Sequence, residues 1–168
     1  PDNPTWGHVA DAAAAMTDKA NGLYGICLRG KPGWGDNAAF ITTMANSFGA
    51  RWFDEEWKPQ LDSPAWNHAL NFYVDLMMNY GPPGTPGYSF NEILALSNEG
   101  KWGMWIDATI AASFVSDPKQ SKVADVIAYA QAPVAVTHRG ANWLWAWALA
   151  VPAGTQQSED ALKFVEWA

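Results

Sequence analysis

Tryptophan stands at every second position in the run Trp143-Leu144-Trp145-Ala146-Trp147. A period of two keeps alternate side chains on one face of an extended strand. The run is therefore read as a strand carrying a row of indoles, ending at Pro152. Two settings accommodate such a row. Tryptophan is highly buried on average, so the row can be core. Flat rings in a row are also a stacking surface, and Asn142 at the head of the run can donate and accept hydrogen bonds beside it. A flat apolar face with a polar edge suits a carbohydrate or a polyol.

The rest of the chain alternates helix with short strand. Thr5 is placed to cap a helix carrying Trp6, Val9, Ala10, Ala13, Ala14 and Met16, with Gly22 as its stop. Leu23 to Leu28 reads as a buried strand that ends at Arg29. A glycine-rich turn from Arg29 to Asn37 follows, and Asp36 is expected to cap a helix with Phe40, Ile41, Met44 and Phe48. Residues 51 to 62 read as irregular or hairpin-like. Ser63-Pro64 combines an N-cap with proline at the first helical position, opening a helix through Trp66, Tyr73 and Met77 that stops near Gly81. Pro82 to Gly87 is a rigid loop, and Ser89-Phe90-Asn91-Glu92 is a capping box. Trp102 to Ile106 reads as a strand, with Asp107 capping an alanine-rich helix behind it. Val126 to Ala130 is a further strand candidate, and Ser158-Glu159-Asp160 opens a last helix with Leu162, Val165 and Trp167. This pattern predicts an α/β fold in which helices flank a mixed sheet, with residues 1–168 as a single domain. The last helix runs to the final residue without a cap, which reads as a cut segment of something larger.

Composition narrows the function. A net charge of −7 argues against nucleic acid and anionic membranes, both of which need basic patches. The single cysteine, Cys27, allows no internal disulfide and reads as a small buried hydrophobe. Pro1-Asp2-Asn3-Pro4 has none of the features of a signal peptide.

Catalytic patterns are weak. Asp36, Asp54, Glu55, Glu56 and Asp107 include no pair whose spacing demands glycosidase chemistry. Gly-x-Ser-x-Gly is absent, and His8, His68 and His138 are too far apart for metal-ligand spacing. No cofactor or metal is expected.

Binding patterns are stronger. Arg29 ends a strand, and its guanidinium offers five donors in a fixed fork suited to neighbouring hydroxyl oxygens. Trp34 can close over a ligand, and Asp36 or Asn37 can accept from its hydroxyls. Asp107 ends the second strand, and strand C-termini are where α/β sheets place ligands. Trp105, Asn142, Trp143 and Trp145 complete the candidate set. Each hydroxyl left unpartnered costs about 1–3 kcal/mol, so a polyol site needs many polar partners.

The chain resembles the carbohydrate-binding extracellular solute-binding proteins, family 1, of bacterial ABC importers. The resemblance rests on Pro4-Thr5-Trp6, Gly22-Leu23-Tyr24-Gly25, Phe48 to Asp54, Gly100 to Trp105, Trp147 to Pro152 and Ala161 to Trp167, in family order. Leu28-Arg29-Gly30, Gly33-Trp34-Gly35, Trp105 to Thr109 and Asn142 to Trp145 are similar to the sorbitol- and mannitol-type binders. The resemblance implies a type II periplasmic-binding-protein lobe with ligand contacts at Arg29, Asp107 and one or more tryptophans. It implies a periplasmic or extracellular protein, soluble or lipid-anchored, that delivers a polyol or sugar to a membrane permease. Family members are about twice this length or more and have two lobes, so this chain is expected to be most of the C-terminal one, with the N-terminal lobe as its missing partner. Trp147 falls on a general family strand and is expected to be structural, leaving Trp143 and Trp145 for the ligand. The competing reading is a fragment of a carbohydrate-active enzyme or a lectin-like module.

Overall fold

A computed structural model describes residues 3–137 and 143–168. Helix α1 spans Trp6–Met16 and begins at a reciprocal cap: the Thr5 hydroxyl accepts from His8 N at 3.1 Å, and Thr5 N donates to His8 Nδ1 at 3.2 Å. Histidine thus fills the role usually taken by Glu or Gln. The buried face of α1 is Trp6, Val9 and Ala13. Strand β1, Tyr24–Cys27, packs against it so closely that Gly25 has no room for a side chain. A Cβ there would lie 1.9 Å from the Ala13 carbonyl oxygen. Gly25→Ala is therefore expected to destabilise the fold by about 3 kcal/mol, the upper range for overpacking. Urea denaturation measures this, and an unshifted midpoint would contradict the packing described.

Helices α2 (Asn37–Ser47), α3 (Pro64–Tyr80) and α4 (Phe90–Asn98) follow. Ser63 caps α3 with Pro64 in the first turn, as the sequence predicts. Residues 51 to 62 close through an antiparallel bridge between Phe53 and Pro59. Strand β2, Trp102–Trp105, returns parallel to β1, with Tyr24 opposite Trp102, Ile26 opposite Met104 and Cys27 opposite Trp105. One core joins α1, β1, α2 and α3 through Trp6, Ile26, Leu28, Phe40, Met44, Tyr73 and Leu76. The polar edge of Trp6 is satisfied inside it, where Nε1 donates to Ser47 Oγ at 2.6 Å. Cys27 is fully buried, and burial pushes its thiol pKa up to about 12, so it is inert as a nucleophile at neutral pH.

Three expected elements differ. The Trp143–Trp147 run is not a strand: residues 143–151 make no backbone hydrogen bond among the described residues. Strand alternation specifies a face only when a neighbouring strand supplies the ladder. Trp147 is 83 % exposed, so it is not a structural residue of the described fold. Val126–Ala130 is also not a strand, with Val126 and Tyr129 exposed in a loop. Helix α5 spans only Ala111–Val115 and begins after Ile110, too late for Asp107 to cap it. The closing helix α6, Ser158–Trp167, starts where predicted and buries none of its residues.

Candidate functional site

The site is assembled where the chain leaves the two parallel strands. At the exit of β1 the backbone is pinned from several sides. The Tyr73 hydroxyl donates to the Arg29 carbonyl oxygen, while Gly30 N and Lys31 N both donate to Tyr88 O at 3.0 Å. Gly30 lies against the Thr85 carbonyl oxygen, which would be 2.2 Å from a Cβ. A backbone held this way fixes where the Arg29 side chain starts.

The Arg29 guanidinium meets Asp107 side-on. Nε donates to Oδ2 at 2.8 Å and Nη2 to Oδ1 at 2.5 Å. Nη1 donates to the Gly35 carbonyl oxygen at 2.6 Å, and the group lies 5.4 Å from the centre of the Phe90 ring. Only 10 % of the Arg29 side chain and 3 % of the Asp107 side chain are exposed. Asp107 also accepts from Trp105 Nε1 at 3.0 Å and from Ala108 N at 2.6 Å. A carboxylate has about four acceptor positions, and all are spent here. Arg29 is different: among the described residues three of its five donors are used, leaving one N–H on Nη1 and one on Nη2.

The aromatic part stands beside this pair. Trp34 is 77 % exposed and stacks on Trp145, with ring centres 5.0 Å apart and planes at 25°. Trp143 lies 4.8 Å from Trp145. Gly35 joins the two halves, since its carbonyl holds Arg29 and a Cβ on it would approach the Trp145 indole to 3.3 Å. The turn is held in shape by Asn37 Oδ1, which accepts from Gly33 N at 3.2 Å. Beyond its Nε1–Asp107 bond, Trp105 packs against Phe90, with ring centres 5.3 Å apart and planes tilted by 47°.

Asp36 does not do what its position predicts. It stands at the start of α2 but makes no capping bond, and instead its carboxylate accepts from the Ser89 hydroxyl at the start of α4. Ser89 N in turn donates to Glu92 Oε2 at 2.9 Å. That bond holds the Glu92 carboxyl below the ordinary range, with Lys31 favouring its charge and Asp36 opposing it.

Arg29, Trp34, Asp36, Asn37, Trp105, Asp107, Trp143 and Trp145 thus gather around one turn, in a polar group and an aromatic group. Asn142 lies outside the described residues. Sequence reasoning missed Phe90 and Tyr73. Phe90 follows a cap and Tyr73 belongs to the apolar stripe of α3, so local pattern marks both as core and carries no sign that they meet Arg29.

The sequence matches the family described as bacterial extracellular solute-binding protein over residues 2–168. It is 52 % identical over 168 residues to the mannitol-binding protein of Pseudomonas aeruginosa, covering all of this chain and 38 % of that protein. A crystal structure of an ABC transporter solute-binding protein from Agrobacterium vitis with bound D-mannitol is similar at a TM-score of 0.95 and 58 % identity, covering 99 % of this chain and 40 % of that one. A ribitol complex of a solute-binding protein from Agrobacterium radiobacter is similar at 0.85 and 25 % identity, covering 99 % and 42 %. The chain therefore spans about two fifths of the length of these relatives.

Proposed function

The chain belongs to the family of bacterial extracellular solute-binding proteins, and from that premise we propose that it forms most of one lobe of the polyol-binding subunit of an ABC importer. The observation that carries the reading is Arg29. Its two unspent N–H groups sit on neighbouring nitrogens of one rigid plane, a geometry suited to two adjacent hydroxyl oxygens. Trp34, Trp143 and Trp145 supply flat faces for the C–H edge of the same molecule. The names of the relatives support an alditol of the mannitol type as ligand.

Binding without chemistry is the function this arrangement serves. Asp107, the most buried carboxylate of the set, is consumed in orienting Arg29 and has no acceptor left for a substrate proton. Asp107 is accordingly a positioning residue, and Arg29 is the group that meets the ligand. The subunit would act outside the cytoplasmic membrane, handing the captured polyol to a permease. A thermal-shift series on the complete protein tests this. D-mannitol at a hundredfold excess over its Kd stabilises a binding protein by about 2.7 kcal/mol by mass action, a readily measured rise in Tm. Failure of mannitol, sorbitol and ribitol alike to raise Tm would remove the polyol reading.

A further inference from the structure

Resting on that polyol reading, we infer that Asp107 and Asp36 set the selectivity of the site, making it accept neutral polyols and reject the corresponding sugar acids. An arginine with open N–H groups is ordinarily a trap for a carboxylate, which it grips with two parallel charge-assisted bonds. At Arg29 that grip is already taken. Asp107 occupies the Nε–Nη2 edge and balances the charge, and both side chains are almost withdrawn from water. A second carboxylate arriving at the remaining N–H groups would share one guanidinium with the first, in surroundings where water screens little.

The neighbouring charges act the same way. Asp36 faces the Gly33–Gly35 turn, with Oδ2 so near Gly33 that a Cβ there would lie 2.5 Å away. Its other oxygen accepts from Ser89, which fixes the carboxylate beside the turn that carries Trp34. Glu92 lies near enough to Asp36 for the Asp36 charge to oppose its own, and Lys31 is a cation beside it. Counting Arg29 and Lys31 against Asp107, Asp36 and Glu92, the region carries more negative than positive charge. A hydroxyl meets no such penalty. It accepts from Arg29 and can donate to Asp36, whereas a carboxylate has no proton to donate.

The test is calorimetric titration of the complete protein with D-mannitol and with D-mannonate, in which one terminal CH2OH is replaced by a carboxylate. Unmodified protein is expected to favour mannitol by at least about a hundredfold. Asp36→Asn should narrow that ratio at least threefold, and Asp107→Asn should narrow it at least tenfold while weakening mannitol. Equal affinities in the unmodified protein overturn the inference, as does an unchanged ratio in the Asp36→Asn variant, which removes the charge while an amide oxygen can still accept from Ser89, and which decides the matter if Asp107→Asn does not fold. Absence of mannitol binding in the unmodified protein is a separate outcome, and it removes the polyol reading itself.

Discussion

Asp107→Ala is expected to destabilise the protein by about 3–5 kcal/mol, the cost of stranding one member of a buried ion pair. Three losses combine at this residue. Arg29 keeps its charge with only 10 % of its side chain exposed and loses its side-on partner. Trp105 Nε1 and Ala108 N lose their acceptor as well. For a domain whose whole stability is about 5–15 kcal/mol, this is enough to bring it close to unfolding at physiological temperature. Removing both charges together is a different case. Arg29→Met with Asp107→Asn leaves no unpaired charge, and the Asn carbonyl still accepts a hydrogen bond, so the double variant should lie within about 1–2 kcal/mol of the parent. Chemical denaturation of the single and double variants measures the difference. A single variant within 1 kcal/mol of the parent, by the same scale, would mean that the pair is not buried as described.

The second large effect concerns the chain by itself. The 168 residues alone are expected to bind D-mannitol at least about a thousandfold more weakly than the complete protein, since a thousandfold is about 4 kcal/mol. Each hydroxyl that loses water without gaining a partner costs about 1–3 kcal/mol, so a few unmatched hydroxyls account for the whole loss. Arg29 offers two N–H groups, Asp107 offers no acceptor, and the Trp34 face remains open. In a two-lobed protein the opposite lobe supplies the other partners and shuts out water when the lobes close. Side-by-side calorimetry answers this, with cooperative unfolding of the isolated chain as the check that it is folded. Micromolar affinity in the folded isolated chain would show that the site is complete within these residues.

Much of the scaffold was readable from local pattern. Thr5, Ser63-Pro64 and the Ser89–Glu92 pair mark helix starts because a cap is a contact over three or four residues, within reach of sequence reasoning. Arg29 and Asp107 are legible as strand-end residues because an apolar run stops at each. Their union across 78 positions was not readable, because it depends on β1 and β2 pairing in parallel. The Asp36–Ser89 bond spans 53 positions and replaced a local capping bond that the sequence favoured. Where a long-range partner competes with a local one, local propensity decides nothing. The tryptophan run shows the opposite limit. Its alternation is visible in the sequence, and neighbouring rings do touch, yet no strand forms among the described residues because nothing pairs with its backbone. Phe90 was invisible for want of any polar atom to mark it.

The central claim is that Arg29, oriented by Asp107, is the polar half of a polyol site. Titration of D-mannitol into the complete protein carrying Arg29→Met with Asp107→Asn tests it most directly, since the fold survives while the two ligand-facing N–H groups are gone. The account predicts saturable binding in the parent and at least about a hundredfold loss of affinity in the double variant, about 2.7 kcal/mol, a lower bound for two unmade bonds to a charged donor at about 1.5–3 kcal/mol each. Affinity within about threefold of the parent, less than 1 kcal/mol on the same scale, in a variant that still unfolds cooperatively would contradict it.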